Sequence, residues 1–184
     1  PAQPSGGGSE GGRSPPPSSE RCLAELKSLE FIYEKAVLPD LEYVFKHALT
    51  HDVAYATILR RERRTLHAAI GAAIEEVYAE RIEERVEELV HHFFQGEVWE
   101  KAFHYARQAG AKAVALCVDR EAVEFYLRSL LALGHLPESP EKLTRALDLR
   151  LDLRAPLWRL GKLERLFALF QEAEELARGL GDPR

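Results

Sequence analysis

Seven histidines are the side chains of this chain best suited to metal or acid–base chemistry, because imidazole titrates near neutral pH and ligates zinc. His47 and His51 stand four apart and share one face of a helix. A zinc-protease pair at that spacing needs glutamate directly after the first histidine, and Ala48 holds that place. Asp52, a conceivable third ligand, is offset from the pair by one residue step, and the adjacent His91 and His92 point to different faces. Packing or capping within a helical bundle accounts for all of these histidines. The serines lie mainly in the first twenty residues and none sits in a Gly-x-Ser-x-Gly elbow. Gly7, Gly12, Arg13 and Ser14 approximate a phosphate loop, but arginine stands where that loop needs lysine, no strand leads into it, and Pro15, Pro16 and Pro17 oppose the helix that should follow. The expectation is no catalytic residue, no cofactor and no metal.

The densest charge is Arg60, Arg61, Arg63 and Arg64, broken only by Glu62. Four arginines in five residues could neutralise nucleic-acid phosphates. They could equally pair with the many carboxylates between Glu75 and Glu88, or with another domain. Aromatic side chains further on, Trp99, Tyr105, Tyr126 and Phe170, are available for packing or docking. The arginines with Trp99, Tyr105 and Tyr126 form the candidate interaction surface, and most such aromatics serve the core.

These residues need elements to hold them. The 184 residues suffice for one substantial domain or two small ones, and a net charge of -5 gives no global attraction to nucleic acid or anionic membrane. Cys22 and Cys117 are far apart and outside any paired-ligand spacing, which predicts two reduced thiols in a cytoplasmic protein. No apolar run approaches the about 20 residues that span a bilayer. Methionine is missing everywhere, including position 1, as in a fragment or processed product of something longer.

Residues 1–20 are Pro, Gly and Ser with almost no apolar side chains, a composition that does not repay the entropy of ordering, and predict a disordered linker. Leu23, Leu26 and Leu29 predict a short helix. Phe31 to Tyr33 and Leu41 to Phe45 predict a hairpin turning at Leu38, Pro39 and Asp40. A helix, a two-stranded wing and a further helix make the tail of a winged-helix unit, with two helical turns joined by a loop as the competing reading. Residues 21–78 are assigned to this tail and its linking helices. In them Phe45, Ala48, Leu49, Val53 and Ala56 share one helical face, and Leu66, Ile70, Ala73, Ile74 and Val77 share another.

Residues 79–184 read as successive helices. Ile82, Val86, Leu89 and Phe93 form one stripe, supported by Arg81–Glu84 and Arg85–Glu88 pairs, with Gly96 at its end. Three later segments repeat one spacing: Ala102, Ala106, Ala109; Ala122, Tyr126, Ser129; Leu166, Phe170, Ala173. Small residues that admit a neighbouring helix, with larger ones filling the gap, mark the second helix of a tetratricopeptide repeat, here at irregular intervals. Residues 135–140 predict a break, and Pro156 predicts an interruption, a kink or a new helix start. Gly179, Gly181 and Pro183 end the last helix. The fold class predicted is all-α: a tetratricopeptide-like helical array, or α-solenoid, preceded by a small winged-helix remnant and a disordered linker.

The runs LEYVFKHALTHDVAY from Leu41, RRTLH from Arg63, and His91-His92 resemble a signature of large multidomain predicted signal-transduction ATPases that often carry a class III adenylate/guanylate cyclase domain. Residues 96–137, with RQAGAKA from Arg107 and REAV from Arg120, are similar to the helical repeats that follow the ATPase in such proteins. The resemblance implies a winged helix and partner-binding repeats. The cyclase metal aspartates and the ATPase phosphate loop map onto no residue here, so neither activity is carried over. The function expected is a non-catalytic interaction or regulatory segment whose partner is another protein or the ATPase and cyclase domains of a parent protein, with no membrane role. The alternatives are a nucleic-acid-binding regulator using Arg60–Arg64, and a fragment of an ATP-dependent enzyme lacking its catalytic domains.

Overall fold

The side-chain hydroxyl of Ser18 accepts from the Arg21 amide and starts the first helix, α1 (Ser19–Ser28), as an N-cap serine does by satisfying one of the amides a helix start leaves free. The computed structural model describes residues 18–36 and 41–181. Helix α1 and its N-cap therefore take in Ser18, Ser19 and Glu20, the end of the expected linker, and residues 1–17 of that linker lie outside the described residues. Strands β1 (Ile32–Ala36) and β2 (Leu41–Phe45) pair antiparallel with Tyr33 opposite Val44. The predicted hairpin is present. Its turn residues, Leu38 to Asp40, are not among those described.

After α2 (Ala48–Thr57) come α3 (Arg60–Val77), a 3₁₀ segment (Ala79–Glu84), α4 (Val86–Gln95), α5 (Trp99–Ala115), α6 (Asp119–Gly134), α7 (Pro140–Arg159) and α8 (Leu163–Leu180). Apart from the hairpin, the described residues form only helices and their connections. None of these helices is long and apolar enough to cross a membrane. Phe45, which the sequence places both in the second hairpin run and on a helical face with Leu49 and Val53, ends β2 opposite Ile32, and the helix begins only at Ala48.

The chain divides into two units, Pro1–Ile58 and Leu59–Arg184, so α3, read from sequence as a linking helix of the winged unit, belongs to the second. Among the described residues of the first unit, Ile32 is the only buried apolar side chain. The second unit holds a continuous core, from Leu89 and Phe93 on α4 through Phe103, Tyr126, Leu133, Leu149 and Leu153 to Leu166 and Leu169 on α8. Each of its helices packs chiefly on its neighbours in sequence, and three-residue connections between α4 and α5, α5 and α6, and α7 and α8 reverse the chain.

One turn chemistry makes these reversals. The amides of Val98, Val118 and Lys162 donate back to the carbonyls of Phe93, Ala113 and Leu157, and Phe31 does the same to Leu26 after α1. Each turn places one residue in the left-handed region, Glu30, Glu97, Cys117 or Gly161. This is the Schellman closure, in which a positive φ lets the last carbonyls of a helix find amide donors. Pro156, expected to interrupt or kink a helix or to start a new one, lies inside α7 and is fully buried. Its ring costs one backbone hydrogen bond, and its full burial offsets that loss.

Candidate functional site

The repeated small-large-small positions are where helices meet. Ala102, Ala106, Ala109, Ala122, Tyr126, Ser129, Leu166 and Ala173 are all buried, and Phe170 is exposed. A methyl group on Gly110 would come within 2.7 Å of the Tyr126 ring, so α5 and α6 touch through a glycine and an aromatic face. Ser129 Oγ donates to the Phe103 carbonyl at 2.9 Å in the same buried interface. Tyr126 is consequently a core residue and not part of an accessible surface.

The other aromatic candidates are partly committed as well. Trp99 is half-buried and stacks on His135, the residue that ends α6, with ring centroids 3.9 Å apart. Tyr105 stacks on Phe93 and donates its hydroxyl to Glu75 Oε1 at 2.8 Å. Burial, followed by the bond to Glu75, pushes its hydroxyl up to about 12.

Helix α3 places the four arginines along its first turns. Arg64 reaches Glu97 at 2.9 Å and Arg60 reaches the same carboxylate at 3.6 Å. Glu97 is the left-handed residue of the α4–α5 turn, so the turn aims a carboxylate at the start of α3. Arg61 is exposed, and Arg63 is half-buried beside His67. The structure thus divides the cluster: two members bind α3 to the α4–α5 turn, and Arg61 faces solvent.

The buried face of α3 is His67, Gly71 and the half-buried Ile74. This corrects the sequence reading, which put Leu66, Ile70, Ala73, Ile74 and Val77 on one face: Ile74 packs against the core, but the other four are exposed, Val77 to 70%. Small residues decide the outcome. A methyl group on Gly71 would meet the Phe93 ring at 2.8 Å, and one on Gly96 would meet the Ala68 amide nitrogen at 2.8 Å. Close backbone approach gains more contact than the larger apolar side chains could at a wider separation.

That approach assembles a group sequence reading treated as separate residues. His67 Nδ1 lies 3.0 Å from His92 Nδ1, and the His91 ring stands edge-on to both, its centroid 5.5 Å from that of His67 and 5.2 Å from that of His92. Only the pairing of α3 with α4 brings His67 there, and no spacing rule within one helix signals it. Among the described residues no cluster of three or more His, Cys, Asp or Glu side chains has the arrangement of a metal site. His47 and His51 join no such cluster, and His51 Nδ1 instead meets Asp52 at 3.0 Å.

In the first unit, Leu26, Phe31, Phe45, Leu49, Thr50, Val53 and Ala54 line an open groove of about 460 Å³. Leu49 and Val53 are 74% and 57% exposed. Sequence patterning marked these positions as apolar but not that they would stay uncovered.

Comparison with known proteins finds no family model, no curated protein and no solved structure that matches this chain.

Proposed function

We propose that this chain is a non-catalytic interaction segment of the signal-transduction ATPase type, acting in the cytoplasm. In this reading its first unit is a winged-helix remnant and its second a degenerate tetratricopeptide-like array that receives a protein partner or the ATPase and cyclase domains of a parent protein. The observation that carries the reading is the open apolar groove of the first unit, in which Ile32 alone is a buried apolar side chain among the described residues; in the second unit, taken by itself, the helices pack mainly on their chain neighbours. Exposed Phe31, Leu49 and Val53 are the kind of surface that a protein interface covers. Arg60 and Arg64 sharing Glu97 commits two of the four arginines to pairing within the second unit, which favours a structural use of them over phosphate binding.

The test is titration of the purified chain with an ATPase core of this type from the same genome, by calorimetry. A saturable complex is expected, weakened about tenfold or more by Val53→Asp, which places a charge in the groove. The isolated chain is expected to hydrolyse no ATP and to form no cyclic nucleotide. The reading fails if no core binds and the chain instead binds duplex DNA with an affinity that falls steeply with salt and with Arg61→Ala.

A further inference from the structure

Helix α3 carries apolar side chains on two neighbouring sides, and the second unit covers one of them. Gly71 is buried and Ile74 packs against the core, while Leu66, Ile70, Ala73 and Val77 run along the adjoining side and stay exposed. Leu59, the N-cap residue, continues that line. The exposure is 67% at Leu59, 49% at Leu66, 42% at Ile70 and 70% at Val77. From Leu59 to Val77 the stripe runs about 27 Å along the helix. Single apolar residues on a surface need no explanation, but a continuous line of this length marks a contact.

The spacing tells what the stripe fits. Steps of seven, four, three and four residues from Leu59 are those of a heptad seam, with Leu59, Leu66 and Ala73 at d positions and Ile70 and Val77 at a. Branched side chains at a with leucine at d suit a parallel two-stranded seam, in which each side chain enters a hole made by four residues of the facing helix. Arg63 holds the remaining a position and is half-buried. A polar residue at one such place lowers the stability of a seam and fixes its register.

Charge selects the direction. Glu62 and Glu76 stand at g positions on the outer flank of the stripe, and both are exposed. In a parallel pair of identical helices Glu62 borders the hole that receives Arg63 of the second copy, so opposite charges meet at the one polar layer. In the antiparallel pair that matches the stripe end to end, Leu59 lies opposite Val77 and Glu62 opposite Glu76, and like charges face each other. Glu75, on the far side of α3 from the stripe, is held by Lys101 and Tyr105 of α5. The rest of the second unit therefore extends away from the stripe and leaves room for a second copy.

We propose that the α3 stripe joins two copies of this chain in parallel, through Leu59, Leu66, Ile70, Ala73 and Val77 of each. This surface is separate from the groove of the first unit, and the contact stands whether or not that groove binds an ATPase core. One helix face is at the low end of specific interfaces, so the dimer is a micromolar one that forms and separates. The parallel sense brings the starts of the two α3 helices, and with them the exposed Arg61 of each copy, to one end of the pair.

Sedimentation velocity of the full chain between about 1 and about 200 µM is expected to show monomer passing to dimer. Ile70→Asp, at an exposed position, is expected to weaken the dimer about tenfold or more with an unchanged circular dichroism spectrum, while Val53→Asp in the groove leaves it as it was. If Ile70→Asp loses its helical spectrum, Val77→Asp takes its place in the comparison. Orientation is read from Val77→Cys combined with Cys22→Ser and Cys117→Ser. Mild oxidation is expected to link two copies at position 77, because an antiparallel pair holds the two positions about 16 Å or more apart along the helices. The proposal is overturned if the chain stays monomeric throughout, if association survives Ile70→Asp, if Val53→Asp and not Ile70→Asp dissolves it, or if dimeric Val77→Cys does not cross-link.

Discussion

Tyr105 on α5 donates its hydroxyl to Glu75 on α3 at 2.8 Å, tying together two helices that are not neighbours in sequence. Lys101, one turn before Tyr105, binds the same carboxylate. The bond stands between α3 and the rest of the array at the end opposite Glu97.

Replacing Tyr105 by Phe removes that donor and should lower stability by about 1–2 kcal/mol, measured by urea unfolding. The pH dependence follows from the direction of the shift. A hydroxyl raised from 10 to about 12 on folding favours the protonated native state, so its contribution is present below pH 10 and lost as pH rises through about 12. Absorbance at alkaline pH should show Tyr105 ionising late, together with Tyr126, which burial also raises, and Tyr105→Phe should remove one hydroxyl from that late step.

Gly110 and Gly134 both lie in helices, and their substitutions should act in opposite directions. Alanine at 110 drives a methyl group into the Tyr126 ring, an overpacking cost of about 1–3 kcal/mol that exceeds the helix-propensity gain of about 1 kcal/mol. Alanine at 134 meets nothing within 4 Å and should stabilise by about 0.5 kcal/mol. Thermal midpoints of the two variants, falling for the first and rising for the second, check both.

Cys117 and Gly161 occupy equivalent left-handed positions in two turns, with φ of 58° and 66°. Only glycine adopts that conformation without a Cβ penalty. Cys117→Gly should therefore raise stability by about 1 kcal/mol, and Gly161→Ala, which has open space but the wrong backbone preference, should lower it by about 1 kcal/mol. Chemical denaturation of the pair decides it, with the slope unchanged in both.

Arg64 and Glu97 form an exposed to half-buried ion pair at 2.9 Å. Arg64→Ala should cost about 0.5–1 kcal/mol, and the difference from the parent chain should shrink as salt is raised. Arg61→Ala, at an exposed position, should leave the midpoint where it was. Equal losses from both substitutions would contradict the division of the basic cluster.

The order and extent of most helices are legible in the chain because they depend on short-range periodicity. Leu23 and Leu26 on α1, the stripe of Val86, Leu89 and Phe93 on α4, and the alanines of α5 each recur at the spacing of a helical face and are found on helices. The hairpin is legible for the same reason, since two apolar runs around Pro39 pair locally. Even the surface pairs Arg81–Glu84 and Arg85–Glu88 are intrahelical or adjacent matters, and both form.

The sequence did not reveal which face of α3 is buried, where Glu97 points, or that His67 meets His92. Each depends on how closely two helices approach, and that distance is set by Gly71 against Phe93 and Gly96 against Ala68, residues far apart in the chain. Periodicity favours Leu66, Ile70 and Val77 for the core because it weighs hydrophobicity alone. The fold buries the small and histidine-bearing face instead, since close packing rewards short side chains at a helix crossing. Pro156 and Cys117 teach the same lesson at the backbone level. Local preference argues against a proline within a helix and a cysteine at positive φ, and only the tertiary packing of α7 and the reversal between α5 and α6 outweigh it.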